Sequence, residues 1–258
     1  MPTISVTTND GVARVTLARP DVRNAFNADV IRELRDAFTQ LNDHHLIRAV
    51  VLAGEGKSFC GGADINWMRG ALDLSYEANV IDAEAMSDMF RAIDRCKKPV
   101  IARIHGAALG GGAGLTAVCD IAIASDETIF GFTEVKLGII PAVISPFVLS
   151  KIGATHARAL FLTGERFSAL RAMQIGLVHE VVGYDMLDSA VDRVLGELRT
   201  AGPLATAAAK ELIVQVAASS YDDTRSLTAE AIALRRASDE GQEGLRAFLE
   251  RRPAEFAK

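Results

Sequence analysis

Three stretches of the chain combine residue types that could do chemistry. The first, Ser58-Phe59-Cys60-Gly61-Gly62-Ala63-Asp64-Ile65, is a loop of small residues between the apolar run Val50 to Ala53 and a helical pattern. Such a loop exposes consecutive backbone N–H groups, which can hold an anion or a polarised carbonyl oxygen. On shape alone, a tight turn with a helix cap at Asp64 is the simpler account. The second stretch, His105-Gly106-Ala107-Ala108-Leu109-Gly110-Gly111-Gly112-Ala113-Gly114, directly follows the apolar run Val100 to Ile104. Strand, glycines and helix again present N–H groups at a helix start. Gly112, Gly114 and Ala117 also satisfy the G-x-G-x-x-A form of the dinucleotide fingerprint, with Glu134 about 20 residues further on. That fingerprint needs a turn joining the strand directly to Gly112, whereas Gly106 to Gly111 intervene. Glycines that let helices pack closely explain it better than a nicotinamide site. The third stretch, Phe130 to Pro141, sets Glu134 among apolar residues. A desolvated carboxylate has a raised pKa and can act as base or acid near neutrality. A surface Glu beside Lys136 is the competing account. Gly56-Lys57-Ser58-Phe59-Cys60 imitates a nucleophile elbow, but its last position is Cys60, which argues against a serine hydrolase.

These residues need elements to position them. The 258 residues are 49% apolar and 24% charged, enough to bury a substantial core and incompatible with disorder or a collagen-like chain. The net charge is −5 and no basic block occurs, which argues against nucleic acid as a partner. The start Met1-Pro2-Thr3-Ile4-Ser5 has no signal-peptide pattern and no apolar run is long enough to span a bilayer, so a soluble cytoplasmic protein is expected. Cys60, Cys96 and Cys119 are odd in number and widely spaced; buried reduced thiols are expected rather than disulfides or a zinc knuckle. The five histidines show no metal spacing, so no metal is assigned.

Ile4 to Thr8 and Val12 to Leu17 alternate around Asn9-Asp10-Gly11, predicting a β-hairpin. From about Ala28, the spacing of Val30, Ile31, Leu34, Ala37, Phe38 and Leu41 predicts a helix. Ala49 to Ala53, Val100 to Ile104 and Ile121 to Ala124 read as buried strands, and Ile81 to Ile93 as a helix ending before Pro99. Strands fed by helices imply an α/β fold with buried parallel strands. After Pro141 the patterns are helical, over Ala154 to Leu162, Ser168 to Ile175, Met186 to Leu198, Leu204 to Val216 and Thr224 to Ala237; only Leu177 to Val182 looks extended. The chain therefore divides into an α/β core, residues 1–190, and a helical C-terminal portion, residues 191–258.

The ordered series Arg23-Asn24-Ala25-Phe26, Phe59-Cys60-Gly61-Gly62-Ala63-Asp64-Ile65, His105 to Gly112, Cys119-Asp120-Ile121-Ala122 and Glu134 to Pro141 resembles the crotonase (enoyl-CoA hydratase/isomerase) superfamily. The resemblance spans nearly the whole chain, through Gly164 to Ile175 and the ending Glu243 to Phe248. It implies a core of repeated ββα units wound into a superhelix, with the C-terminal helices packing between subunits of a homotrimer or homohexamer. It also implies that the N–H groups of Ala63 and Gly111 form an oxyanion hole for the thioester carbonyl of an acyl-CoA. The coenzyme A moiety, which is part of the substrate rather than a separate cofactor, maps to Arg23-Asn24-Ala25 and Ala63-Asp64-Ile65. Arg23 could face a phosphate or be solvated. Gly110 and Gly114 fall within the substrate-binding stretch, and Trp67 and Met68 either line the acyl pocket or pack in the core.

Two-glutamate hydratases of this family carry one glutamate soon after the Gly-rich loop and a second later. Here Gly114 stands at the first position and Glu134 at the second. A single carboxylate suits Δ3-Δ2-enoyl-CoA isomerisation, and it can also hydrate by a syn route if another group orients the water. Glu134 to Phe147 further resembles a bacterial branch that includes methylglutaconyl-CoA hydratases, which turns the expectation to hydration of 3-methylglutaconyl-CoA. A catalytically inactive acyl-CoA-binding protein is the reading from a different class.

Overall fold

The computed structural model describes residues 2–257; Met1 and Lys258 lie outside them. Ile4–Asn9 (β1) and Val12–Leu17 (β2) form the expected antiparallel hairpin, with Asn9 opposite Val12. Asp10 (φ 48°) and Gly11 (φ 72°) both take left-handed conformations, the requirement of a two-residue turn matched to strand twist. From β2 the sheet continues in parallel through Ala49–Gly54 (β3), Val100–Ile104 (β4), Ile121–Ser125 (β6) and Glu180–Val182 (β9), in the order β1-β2-β3-β4-β6-β9. A second sheet of three short strands, Ala107–Leu109 (β5), Ile129–Gly131 (β7) and Arg166–Ser168 (β8), is ordered β5-β7-β8.

The main sheet is covered on both faces, which is why β3 and β4 read as nearly unbroken apolar runs. Alternate residues part company. Val50, Leu52, Val100, Ala102 and Ile104 join the large core with Ala28–Asp43 (α1), Tyr76–Asp94 (α3) and Gly111–Val118 (α4). Ala49, Val51, Ile101 and Ile123 face the other way, against Leu187, Ala190, Val191 and Leu195 of Leu187–Thr200 (α7). On α1 the buried residues are Val30, Ile31, Leu34, Phe38 and Leu41, one stripe at helical spacing, and the Asn27 side chain caps it by accepting from the Val30 N–H at 2.9 Å. All three cysteines are free and buried.

The structure departs from the sequence reading after Pro141. Arg166–Ser168 is a strand, β8, antiparallel to β7, between the two expected helices Ala154 to Leu162 and Ser168 to Ile175, where the sequence pattern predicts no strand. Within Ser145–Thr163 (α5), Gly153 (φ 68°, ψ 165°) is non-helical and divides the element at a kink: the piece after it begins at Ala154 as the pattern predicts, and the piece before it, from Ser145, is an additional helix. Only Glu180–Val182 of the segment from Leu177 is paired as strand. Ile65–Ala71 (α2), Ala169–Gln174 (α6), Pro203–Ala217 (α8), Thr224–Ala237 (α9) and Asp239–Leu249 (α10) complete the helices. No helix among the described residues is long and apolar enough to cross a membrane.

Candidate active site

The first glycine loop is held from beneath by Asn24. Arg23 and Asn24 both have φ 56°, a conformation asparagine tolerates better than most residues. The buried Asn24 amide donates to the carbonyls of Glu55 and Ser58, each at 2.8 Å, and its Oδ1 accepts from the Arg19 N–H at 2.9 Å. Gly54 must lack a side chain here, since a Cβ would lie 2.5 Å from the Phe59 carbonyl oxygen and 2.9 Å from Asn24 Nδ2. The loop then runs beside residues 23–26. Gly61 N–H donates to the Arg23 carbonyl (2.8 Å), Phe26 N–H to Gly62 (2.7 Å), and Asp64 N–H to Phe26 (2.8 Å). This bridge turns the Ala63 N–H away from Phe26 and toward the exposed side, and among the described residues it has no acceptor.

The second loop docks on the first. Cys60 N–H donates to the Ala107 carbonyl (2.9 Å) and Leu109 N–H to Cys60 (3.1 Å), while Gly110 N–H reaches the Gly131 carbonyl of β7 (2.8 Å). Gly110 takes φ 50°, ψ −118° as the residue before α4, a conformation that favours glycine. Gly111 opens α4, so its N–H has no acceptor within the helix and finds none elsewhere among the described residues. A Cβ on Gly111 would sit 2.4 Å from the Phe26 ring. Phe26 is thus the shared wall: its backbone bridges Ala63 and its ring lies under Gly111.

Glu134 begins a single 3-10 turn, Glu134–Leu137, just after β7. A Cβ on Gly110 would lie 3.3 Å from Glu134 Oε1 and 4.0 Å from the Gly62 Cα, so the carboxyl and both glycine loops share one small space. Glu134 Oε2 is buried and has no hydrogen-bond partner among the described residues. Burial pushes the Glu134 carboxyl above its ordinary pKa, with its own N–H acting the other way. An unpartnered, desolvated carboxyl beside two unpartnered N–H groups can take and return protons next to an oxygen that gains negative charge.

Of the residues singled out from the sequence, Ala63, Gly110, Gly111 and Glu134 converge. Gly114 lies one turn further along α4, its N–H donating to the Gly110 carbonyl at 3.0 Å. A Cβ there would meet Ile144 Cγ2 at 2.4 Å and the Phe90 ring at 3.0 Å, so the place of a second carboxylate is filled by hydrocarbon. Gly112 likewise abuts Cys60, 2.4 Å from its carbonyl oxygen to a Cβ; these glycines serve close packing.

Arg23, Ala25, Asp64 and Ile65 line the first loop. The Arg23 guanidinium is exposed and makes no ion pair among the described residues. The Ala25 carbonyl accepts from Arg19 Nη1 at 2.5 Å. Asp64 caps α2, accepting from the Asn66 N–H (2.8 Å), and pairs with Arg19 Nη2 at 2.7 Å. Burial pushes the Asp64 carboxyl up, but the Arg19 and Asn66 hydrogen bonds outweigh it and hold the pKa below its usual value. Ile65 is exposed, and Trp67 is partly buried against the main core; burial pushes the Asp82 carboxyl above its ordinary pKa, with the Trp67 side chain acting the other way.

Two residues escaped the sequence reading: Arg19, which ties Ala25 to Asp64, and Ile144, which seals Gly114. Each acts across a gap in sequence that leaves no periodic trace. Asp120 anchors its loop, accepting from the Val100 N–H and from Lys210 Nζ, both at 2.7 Å.

Residues 7–258 match the family model described as enoyl-CoA hydratase/isomerase. A crotonyl-CoA hydratase of Syntrophomonas wolfei is 36% identical over 247 residues, covering 95% of this chain and 94% of that protein. Among solved structures, Pseudomonas aeruginosa AtuE superposes with a TM-score of 0.96 at 36% identity, over 99% of this chain and 100% of that one. An enoyl-CoA hydratase from Shewanella pealeana gives 0.95 at 38% identity, over 98% and 95% of the two chains. With its two docked glycine loops and half-buried glutamate, the chain belongs to the enoyl-CoA hydratase/isomerase family, the crotonase superfamily.

Proposed function

We propose that the chain is a hydro-lyase that reversibly adds water to a 2-enoyl-CoA, with Glu134 as the proton-transfer group and the N–H groups of Ala63 and Gly111 as the oxyanion hole. The observation that carries this reading is the buried, unpartnered Glu134 Oε2 beside the glycine loops. The thioester carbonyl accepts from both N–H groups. Water adds at C3 while Glu134 takes its proton, and the electron pair of the C2–C3 double bond moves toward the thioester oxygen as an enolate. Glu134 then returns the proton to C2, so both additions occur on one face. Each N–H aimed at the developing oxyanion contributes about 2.7–4 kcal/mol to the transition state. With Ile144 and Phe90 closing the site at Gly114, a single carboxylate performs both transfers.

The proposed substrate is 3-methylglutaconyl-CoA, giving 3-hydroxy-3-methylglutaryl-CoA; the resemblance of Glu134 to Phe147 to that branch supports it, and an apolar wall suits a methyl branch. Coenzyme A enters with the substrate, along the loop bearing Arg23, Ala25, Asp64 and Ile65. A homotrimer or homohexamer is proposed with it, supported by the apolar residues that α8 and α9 leave uncovered, such as Ile213 at 70% and Leu234 at 65% exposure. The hydrocarbon at Gly114 also favours a second reading, Δ3-Δ2-enoyl-CoA isomerisation by the same glutamate.

A mass-resolved assay against crotonyl-CoA, 3-methylglutaconyl-CoA and a 3-enoyl-CoA, each with wild type and Glu134→Gln, separates these. Gain of one water, lost in Glu134→Gln, supports the hydratase. Conversion of the 3-enoyl ester at unchanged mass without hydration makes it an isomerase, and thioester binding without product makes it a binding protein.

A further inference from the structure

The loop that presents the Ala63 N–H leaves β3 through residues 55–59, and one buried side chain fastens that turn. His105 stands at the end of β4 and is buried. Its Nε2 lies 2.8 Å from the Gly56 carbonyl oxygen, and its own carbonyl accepts from the Phe59 N–H at 2.8 Å. A carbonyl cannot donate, so Nε2 carries the proton and Nδ1 is left as an acceptor. That Nδ1 is buried and has no partner among the described residues. A buried acceptor without a donor is costly, so stability alone does not account for an imidazole here. The next residue, Gly106, brings the two chains so close that a Cβ would lie 2.0 Å from the Lys57 carbonyl oxygen.

The outer side of the ring is supported from the sheet face that carries α7. Tyr184 packs edge-on against His105 with centroids 5.7 Å apart, and the Arg103 guanidinium lies 5.8 Å from the Tyr184 ring centre. Arg103 is in turn held by both carboxylate oxygens of Asp188, at 2.8 Å each. Burial pulls the imidazole below its ordinary pKa; Arg103 adds to this, while the Gly56 carbonyl and Asp188 oppose it. The neutral ring with its proton on Nε2 is thereby maintained at neutral pH.

We infer that His105 is a positioning residue: by clamping the turn at Gly56 and Phe59 it sets the direction of the Ala63 N–H. Between that turn and Ala63 stand only Cys60, Gly61 and Gly62, two of them without side chains to anchor. Cys60 is docked on β5 from one side, and His105 secures the entry from the other. The inference rests on the oxyanion-hole reading above.

The test uses butyryl-CoA labelled with carbon-13 at the carbonyl, a saturated thioester that cannot be hydrated. Its carbonyl stretch is recorded by infrared difference spectroscopy on wild type, His105→Leu and His105→Gln. Wild type is expected to move the stretch to lower wavenumber. His105→Leu should return it toward the solution value and lower kcat on a 2-enoyl-CoA about 10- to 100-fold with KM little changed, the scale of a small misplacement. His105→Gln, which can put an amide N–H near the place of Nε2, should restore most of both. A wild-type shift that survives in His105→Leu overturns this inference alone. Absence of a shift in wild type overturns the oxyanion-hole reading and this inference with it. If His105→Leu does not fold, Tyr184→Ala decides by the same readout, since Tyr184 is 51% exposed and dispensable to the core: a partial loss of the shift supports the inference and an unchanged shift overturns it.

Discussion

Glu134 couples chemistry to stability with a sign that can be checked. Its carboxyl is raised in the folded protein, so the folded state binds its proton more tightly than the unfolded chain does. Stability from this group is therefore full below the ordinary glutamate pKa and is lost as pH rises through the raised one. Glu134→Gln should melt higher than wild type at pH 7, by about 1 kcal/mol of relieved desolvation, and the gap should close in melts run below the ordinary glutamate range. The same group, needed ionised as a base, should make kcat/KM fall on the acid side at a pH above the usual carboxylate range. Glu134→Gln should remove most turnover while thioester binding, followed by calorimetry, stays near wild type. At Gly114, a Glu would drive into Ile144 and Phe90 and bring an unpaired charge into hydrocarbon. Gly114→Glu should cost about 1–3 kcal/mol or more in denaturant melts, with part recovered by adding Ile144→Ala.

At the level of elements, the site depends on loops sewn together by few side chains. Asn24 alone joins Arg19, Glu55 and Ser58. Asn24→Ala, which leaves buried carbonyls without a donor, should destabilise by about 2–4 kcal/mol in urea unfolding and weaken acyl-CoA binding, since the turn at Arg23 carries the first glycine loop. The elements themselves were legible to different degrees. The hairpin could be read from two-residue alternation around Asn9-Asp10-Gly11, and α1 from its apolar stripe. The glycine loops and Glu134 stood out because residue types rare in combination occurred between strand and helix. β5, β7 and β8 are three residues each, shorter than one repeat of any informative pattern, and Arg166–Ser168 owes its extended form to pairing with β7 rather than to its own sequence. The Arg19 bridge to Asp64 spans sequence positions that share no element, so nothing local announced it.

On the scale of the molecule, Arg48 ties the C-terminal helices to the sheet. At the entrance to β3 its guanidinium donates to the carbonyls of Phe256 (2.6 Å), Ala201 (2.7 Å) and Arg199 (3.1 Å). Arg48→Ala should speed proteolytic clipping after α7 before it lowers activity, a separation visible by following fragments and turnover in one digest. Light scattering on the intact chain should give a mass of three or six copies, with the exposed faces of α8 and α9 covered. The packing at Gly114 also bears on how this pair of positions can vary. A carboxylate placed there meets Ile144, and a smaller residue at 144 without the carboxylate leaves a cavity, so each single step away from the present pair is disfavoured. The two positions behave as a ratchet: single-site variation holds the glycine and the isoleucine in place, whereas a glutamate at 114 requires both changes at once.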